Sequence, residues 1–173
     1  MKTTVKLLRE LHNELAPHIE NIRKASDLIE EGYLPPTSHK ALDEACHFLV
    51  HEAIPHIQGE DQILYPKLTE LLGEDRTSTL MLRDHEEIAN LIQQIGAVHS
   101  QIVQHTIGYE QARALTRLLY GVYTLIKIHV AREEEIIAPL LDARLSEMQI
   151  VTLFDTLENV ISKISFELQA VKI

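Results

Sequence analysis

Cysteine, tryptophan, glycine and proline are all scarce in this chain. Its 173 residues include one cysteine, no tryptophan, six glycines and six prolines. A lone Cys46 excludes an intramolecular disulfide and any zinc site built on paired cysteines. No stretch approaches the ~18 apolar residues a membrane span needs. The start, MKTTVKLLRELHNEL, has no long apolar core of the kind that marks a secretory signal, so a cytoplasmic location is expected. Positive charge is also short: 16 Lys and Arg face 26 Asp and Glu, a net charge of −10. That balance opposes phosphate backbones and anionic lipid, so neither nucleic acid nor membrane is an expected partner. Alternating β-branched runs are missing, which argues against a sheet. What the chain has in excess is histidine: ten residues, more than its three Phe and five Tyr together.

Apolar residues recur at spacings of three and four almost throughout, which predicts helix. The first helix carries Leu8, Leu11, Leu15, Ile19, Ile22, Ala25 and Ile29, and stops at Gly32 before the Pro35-Pro36 turn. The second starts at Thr37 or Ser38 and runs to Leu72, ended by Gly73. Pro55 predicts a kink or break within it, and Pro66 another near its end. The third spans 78–102 with Leu82, Ile88, Ile92, Ile95 and Ile102 inward. The fourth carries Leu115, Leu118, Leu119, Val122, Leu125 and Ile126, and continues past His129 to Pro139. Short connections favour antiparallel neighbours, so the expected fold class is all-α, an up-down-up-down four-helix bundle. A further helix over 146–170 opens on a Ser146/Gln149 capping box. It is expected to pack outside the bundle or to serve a dimer.

Two segments repeat. HIQGEDQILYPKL begins at His56 and HVAREEEIIAPLL at His129, an offset of 73 residues. The same offset carries Glu60 onto Glu133, Pro66 onto Pro139 and His12 onto His85, along with apolar neighbours such as Leu8 onto Met81. The chain therefore reads as two similar helical hairpins. His12 and His56 are equidistant from the turn at residue 34, each ~33 Å along its helix, so they reach the same height. His85 and His129 do the same about residue 107. Within each second helix, His and Glu at i and i+4 share a face. Two hairpins together bring four imidazoles and two carboxylates into one layer, a donor set for iron, manganese or zinc and large enough for two ions. One His-x3-Glu alone is an ordinary surface pair. The matched His12 and His85 at the same depth set this pattern apart.

These residues resemble the hemerythrin-like (HHE cation-binding) family. The pattern is carried by LRELH around His12, PHIQGEDQILYPKL around His56, LRDHEEI around His85 and HVAREEEIIAPLLD around His129, over residues 5–145. The resemblance implies a bundle over 1–145, with residues 146–173 as a helix packed on it or at an interface. It also implies two non-haem iron ions, oxo- or hydroxo-bridged, with Glu60 and Glu133 bridging. Oxygen-carrying members have a further histidine one turn after the helix-three His. Here that place is Ala89, which leaves a coordination position for water, a carboxylate or an exogenous molecule and argues against simple oxygen carriage. Glu134 competes with Glu133 for the last carboxylate, although the internal repeat favours Glu133.

His18, in APHI, echoes the IPHI around His56 and is the rival to His12, or an additional donor. The repeat instead maps His18 onto Leu91, and His12 stands ahead of it. His47 and His51 read as surface or supporting groups. His39, His99 and His105 fall at helix ends or loops, and Tyr65 reads as core. The function expected from the resemblance is binding of, or reaction with, oxygen, nitric oxide or peroxide, with catalase-like or oxidase chemistry open. The alternatives are a metal-stabilised regulatory or interaction module, or iron storage. A monomer, or a homodimer through the last helix, is expected.

Overall fold

Thr3 opens the first helix, α1 (Thr4–Asp27), its hydroxyl accepting from the Lys6 N–H at 3.2 Å. This computed structural model describes residues 3–30, 32–73, 76–102 and 104–170. At the far end of α1, the N–H groups of Leu28 and Ile29 bond to carbonyls three residues back. This tightening ends the helix well before Gly32, earlier than the periodicity suggests.

The second helix, α2 (residues 36–72), begins at Pro36 rather than at Thr37 or Ser38. Proline suits the first helical position because it lacks an N–H that would be unpaired there anyway. Pro55 and Pro66 interrupt α2 as expected, in two different ways. After Pro36–Phe48 comes a π turn, Leu49–Ala53, directly before the segment Ile54–Gln62 that holds Pro55. The wider turn makes room for a ring that would strike the carbonyl four residues back. Before Pro66 the chain breaks at Ile63 (φ −121°) and resumes as Leu64–Leu72.

The third helix, α3 (Arg76–His99), ends short of Ile102, and Gln101 and Ile102 close it with three-residue turns. Leu82 was expected inward but is 38% exposed, and Met81 is 1% exposed in its place. The face through Met81, His85, Ile88, Ile92 and Ile95 steps by four and three, and Leu82 lies ~100° off it. The fourth helix, α4 (residues 109–142), starts where the Gly108 N–H donates to the Gln111 side chain at 2.9 Å. It runs as Tyr109–Arg132, a second π turn Glu133–Ile137 ahead of Pro139, and Ala138–Asp142. Ser146 and Gln149 cap the last helix, α5 (Glu147–Ala170), as the capping box predicts. The two hairpin connections pair as a short antiparallel ladder, β1 (Gly32–Tyr33) with β2 (Thr106–Ile107). The sequence pattern had no signal for it.

Neighbouring helices run antiparallel. His18 of α1 stacks on Phe48 of α2, while His12 lies beside His56. The Thr4 N–H donates to Asp142 at 2.6 Å, and the Ser26 hydroxyl to the Thr116 carbonyl at 3.2 Å, which sets α1 against α4. Thr69 meets Ser78 at one end of α2 and α3, and Asp43 meets His99 at the other. The result is a helical bundle with two apolar cores. One, toward the hairpin turns, includes Ile19, Ile22, Phe48, Ile92 and Leu119. The other, toward the chain ends, includes Leu8, Leu64, Leu68, Met81 and Leu141. Phe154 and Leu157 of α5 belong to the second core, so α5 packs on the bundle. No helix among the described residues is long and apolar enough to cross a membrane.

Gly59 of α2 packs against α5: a Cβ there would lie 2.4 Å from Ile161 Cγ1. Gly59→Ala is expected to destabilise the fold by ~1–3 kcal/mol through overpacking. Ile161→Ala on the same chain should recover part of the loss in a denaturant titration. Equal losses with and without Ile161 would refute the contact.

Candidate metal centre

Between the two apolar cores lies one polar layer. His12, His56, Glu60, His85, His129 and Glu133 are all buried, and both glutamates are 0% exposed. The hairpin arithmetic is visible in the rings. His12 and His56 have centroids 5.6 Å apart, and His85 and His129 4.4 Å apart.

Each carboxylate reaches both histidine pairs. Glu60 Oε1 lies 3.0 Å from His56 Nε2, while its Oε2 lies 3.4 Å from His85 Nε2 and 4.0 Å from His129 Nε2. Glu133 Oε2 lies 3.1 Å from His12 Nε2, and its Oε1 3.6 Å from His129 Nε2. Although these atoms are close, His12 Nε2, His56 Nε2, both oxygens of Glu60 and Oε2 of Glu133 lack hydrogen-bond partners. They converge in geometries that make no hydrogen bond. Buried polar atoms left this way carry a heavy desolvation cost, and a cation removes it. Two nitrogens ~2.1 Å from one ion at a right angle stand ~3 Å apart. The Nε2 atoms of His85 and His129 stand 2.9 Å apart. Two groups, His12/His56/Glu60 and Glu60/His85/His129, bring one donor atom from each residue within 4.8 Å of the others, and Glu60 belongs to both.

Two of the outer ring nitrogens are held by further carboxylates, and a third lies near one. Glu134 Oε1 accepts from His12 Nδ1 at 3.0 Å and is itself held by Arg9. Asp61 accepts from His85 Nδ1 at 2.6 Å. Asp84, bonded to Arg132, lies 3.6 Å from His129 Nδ1. Such contacts orient imidazoles and raise their basicity toward a metal. Tyr65, read from the sequence as core, is buried, and its hydroxyl also enters the layer. It donates to Glu133 Oε1 at 2.6 Å and lies 3.2 Å from His129 Nε2 and 3.5 Å from His85 Nε2. On an unbroken helix Tyr65 would sit ~180° from His56; the break at Ile63 turns it inward.

Glu133 and Glu134 thus take opposite sides of one ring, with Glu133 at the inner nitrogen of His12 and Glu134 at the outer. His18 is not brought into the layer. It is exposed and lies flat on Phe48, 5.3 Å between centroids. The rings of His47 and His51 lie tilted against each other, 4.5 Å between centroids, and neither is among the grouped donors.

The family model for the hemerythrin HHE cation binding domain matches residues 3–141. The chain belongs to this family. Comparison with curated proteins and with solved structures yields no significant match. The family is cation-binding, and the His/Glu groups of this hemerythrin-family chain have the donor types and spacing to hold a metal.

Without metal, protons do part of this work. Burial lowers the proton affinity of His12, but contact with Glu133, the charge of Glu60 and the hydrogen bond to Glu134 outweigh it, and its pKa rises to about 9. His85 rises to about 9 for the same reason, burial being outweighed by Asp61 and Glu60. Burial and the Glu60 charge push Glu133 up, yet His129 and His12 bring it down to about 2. Burial, with the charges of Glu133 and Glu60, keeps the Tyr65 phenol protonated.

Two predictions follow from this geometry. A raised histidine pKa stabilises fully below its unfolded value of 6.5, and the gain is lost as pH rises through about 9. Glu133 stabilises above 4.5, and its gain is lost as pH falls through about 2. The metal-free chain should therefore melt highest between pH 4.5 and 6.5 and lose stability toward pH 9; a melting temperature that rises across that upper range would contradict the proton network. Tyr65→Phe leaves Glu133 Oε1 without its donor and should lower metal-free stability by ~1–3 kcal/mol in denaturant.

Proposed function

We propose that the layer is a non-haem di-iron centre that binds or reacts with a small molecule such as oxygen, nitric oxide or peroxide. The observation that carries this is the set of buried imidazole nitrogens and carboxylate oxygens that converge without hydrogen bonds. His12 with His56, and His85 with His129, would each hold one iron, and Glu60 and Glu133 would reach both. Nitrogen and carboxylate donors without sulfur suit iron among redox metals. Iron bound there supplies a Lewis-acidic, redox-active centre.

The two sides of the layer differ, which supports a role beyond structure. Beside His85 and His129 the space is taken by the Tyr65 hydroxyl. Beside His56 a cavity of about 340 Å³ opens between α1, α2 and α5, lined by Leu11, Glu14, Leu15, Glu52 and Ile161. A small molecule would enter there, and Glu14, Glu52 and Glu158 at its walls disfavour anions. Tyr65 keeps a proton at its hydroxyl against Glu133, within reach of the enclosed side. Asp61 and Glu134 hold the imidazoles in place. These features suit peroxide breakdown or oxidase chemistry as well as gas binding. Cys46, its thiol pushed up to about 12 by burial and the nearby Asp43 charge, takes no part and fits a cytoplasmic protein.

A second reading, an interaction module, has one observation in its favour. Met148 and Phe166 of α5 are 79% and 73% exposed, the kind of apolar surface a homodimer would cover.

Aerobic purification followed by metal analysis should find roughly two irons per chain and ferric near-ultraviolet absorption. His56→Ala and His129→Ala should lose iron, while His18→Ala should keep it. Chelation should lower the melting temperature, because the layer is then left without its cation. A colourless, metal-free protein with unchanged stability would sink the proposal. Stopped-flow mixing of the reduced protein with oxygen, nitric oxide and peroxide then separates binding from turnover.

A further inference from the structure

A second gathering of imidazoles lies at the hairpin-turn end of the bundle. His39 and Asp43 stand one turn apart on the first segment of α2, with His39 Nδ1 2.9 Å from Asp43 Oδ2. His99, the last residue of α3, brings its Nε2 to 2.9 Å from Asp43 Oδ1. One donor atom from each of the three falls within 4.8 Å of the others.

A third ring joins them. His105 packs edge-on against His39 with centroids 4.3 Å apart. Its backbone is left-handed (φ 59°), as is that of Gln104 (φ 50°). Residues with a Cβ adopt that conformation only against a steric penalty. The connector is nonetheless held there, because the His105 carbonyl accepts from the Leu34 N–H at 2.7 Å and the next two residues pair with β1. Three separate chain segments thus bring imidazoles together, two of them onto one carboxylate.

A His–Asp pair at i and i+4 is by itself an ordinary helix-surface contact. Here the same carboxylate also meets a histidine 56 residues away in sequence, and the third ring is placed by a strained connector. We propose that His39, Asp43 and His99 form a second metal site, of the zinc class, with the His105 ring packed against His39 beside it. Two imidazoles and one carboxylate are a usual zinc donor set. Calcium and magnesium prefer oxygen alone. His39 and His99 are about one-quarter exposed and Asp43 about one-half, so the ion would exchange with solvent. The site stands ~25 Å along α2 from His56, apart from the central layer. A metal there would clamp α2 and α3 together. The inference does not rest on iron occupying the central layer.

The test is calorimetric titration of the purified full chain with zinc chloride, with iron content measured in every sample. Wild type should take up one zinc at this site. The His39→Ala/His99→Ala chain should bind it ~10-fold or more weakly with its iron content unchanged. His99→Gln keeps a side-chain donor for Asp43 and so preserves the fold, and it too should lose affinity; it carries the test if the double variant misfolds. No zinc uptake by wild type would overturn the proposal, leaving Asp43 as a hydrogen-bond acceptor only. Zinc binding that survives these changes but disappears in His56→Ala would also overturn it, assigning the ion to the central layer.

Discussion

Six ionisable side chains buried in one layer are the constraint on which this structure depends. Two carboxylates without solvent exposure and four imidazoles beside them are far too costly to hide unpaired. Their charges must be met by protons, by one another or by a cation. Every nearby element serves that need. The layer divides the apolar interior in two, so each long helix is apolar, then polar, then apolar along its inner face. Glu134, Asp61 and Asp84 stand behind three of the four rings. Arg9 and Arg132 in turn hold two of those carboxylates. The half of the interior nearer the chain ends is completed by Phe154 and Leu157, which gives α5 a part in enclosing the layer.

Irregular backbone is concentrated where the layer's side chains have to be aimed. The two halves of the repeat answer matching prolines differently: α2 breaks at Ile63 before Pro66, whereas α4 widens into a π turn at Glu133–Ile137 before Pro139. The break swings Tyr65 into the layer. The π turn begins at Glu133, and it is there that consecutive glutamates take the inner and outer nitrogens of His12. A duplicated hairpin thereby becomes a centre with two unlike sides, one closed by a phenol and one open to a cavity. The hairpin-turn end, with its short ladder and its own imidazoles, is tied together separately.

Much of this was legible in the chain itself. The 73-residue repeat, the equal distances of His12 and His56 from their turn, and the i, i+4 spacing of His and Glu are one-dimensional facts. Helical rise and twist convert them directly into a layer. The order and identity of the helices, the capping of α5 by Ser146 and Gln149, and the disruption at the prolines follow from local chemistry as well. What the pattern missed depended on departures from ideal geometry. Tyr65 points away from His56 on a regular helix. Leu82 looks as apolar as Met81 until the face through His85 is defined by packing. The β1–β2 pair is too short to leave a periodic signature.

The sequence by itself determined which residue types stand at which heights, because rise per residue is nearly constant in any helix. Tertiary structure decided which way each candidate side chain faces. His12 and not His18, and Glu133 inside with Glu134 outside, are outcomes of rotation about the helix axis and of contacts across helices. The clustering of His39, His99 and His105 is likewise invisible in one dimension. It arises because antiparallel helices return distant segments to the same end of the bundle, where Asp43 meets two of the three rings.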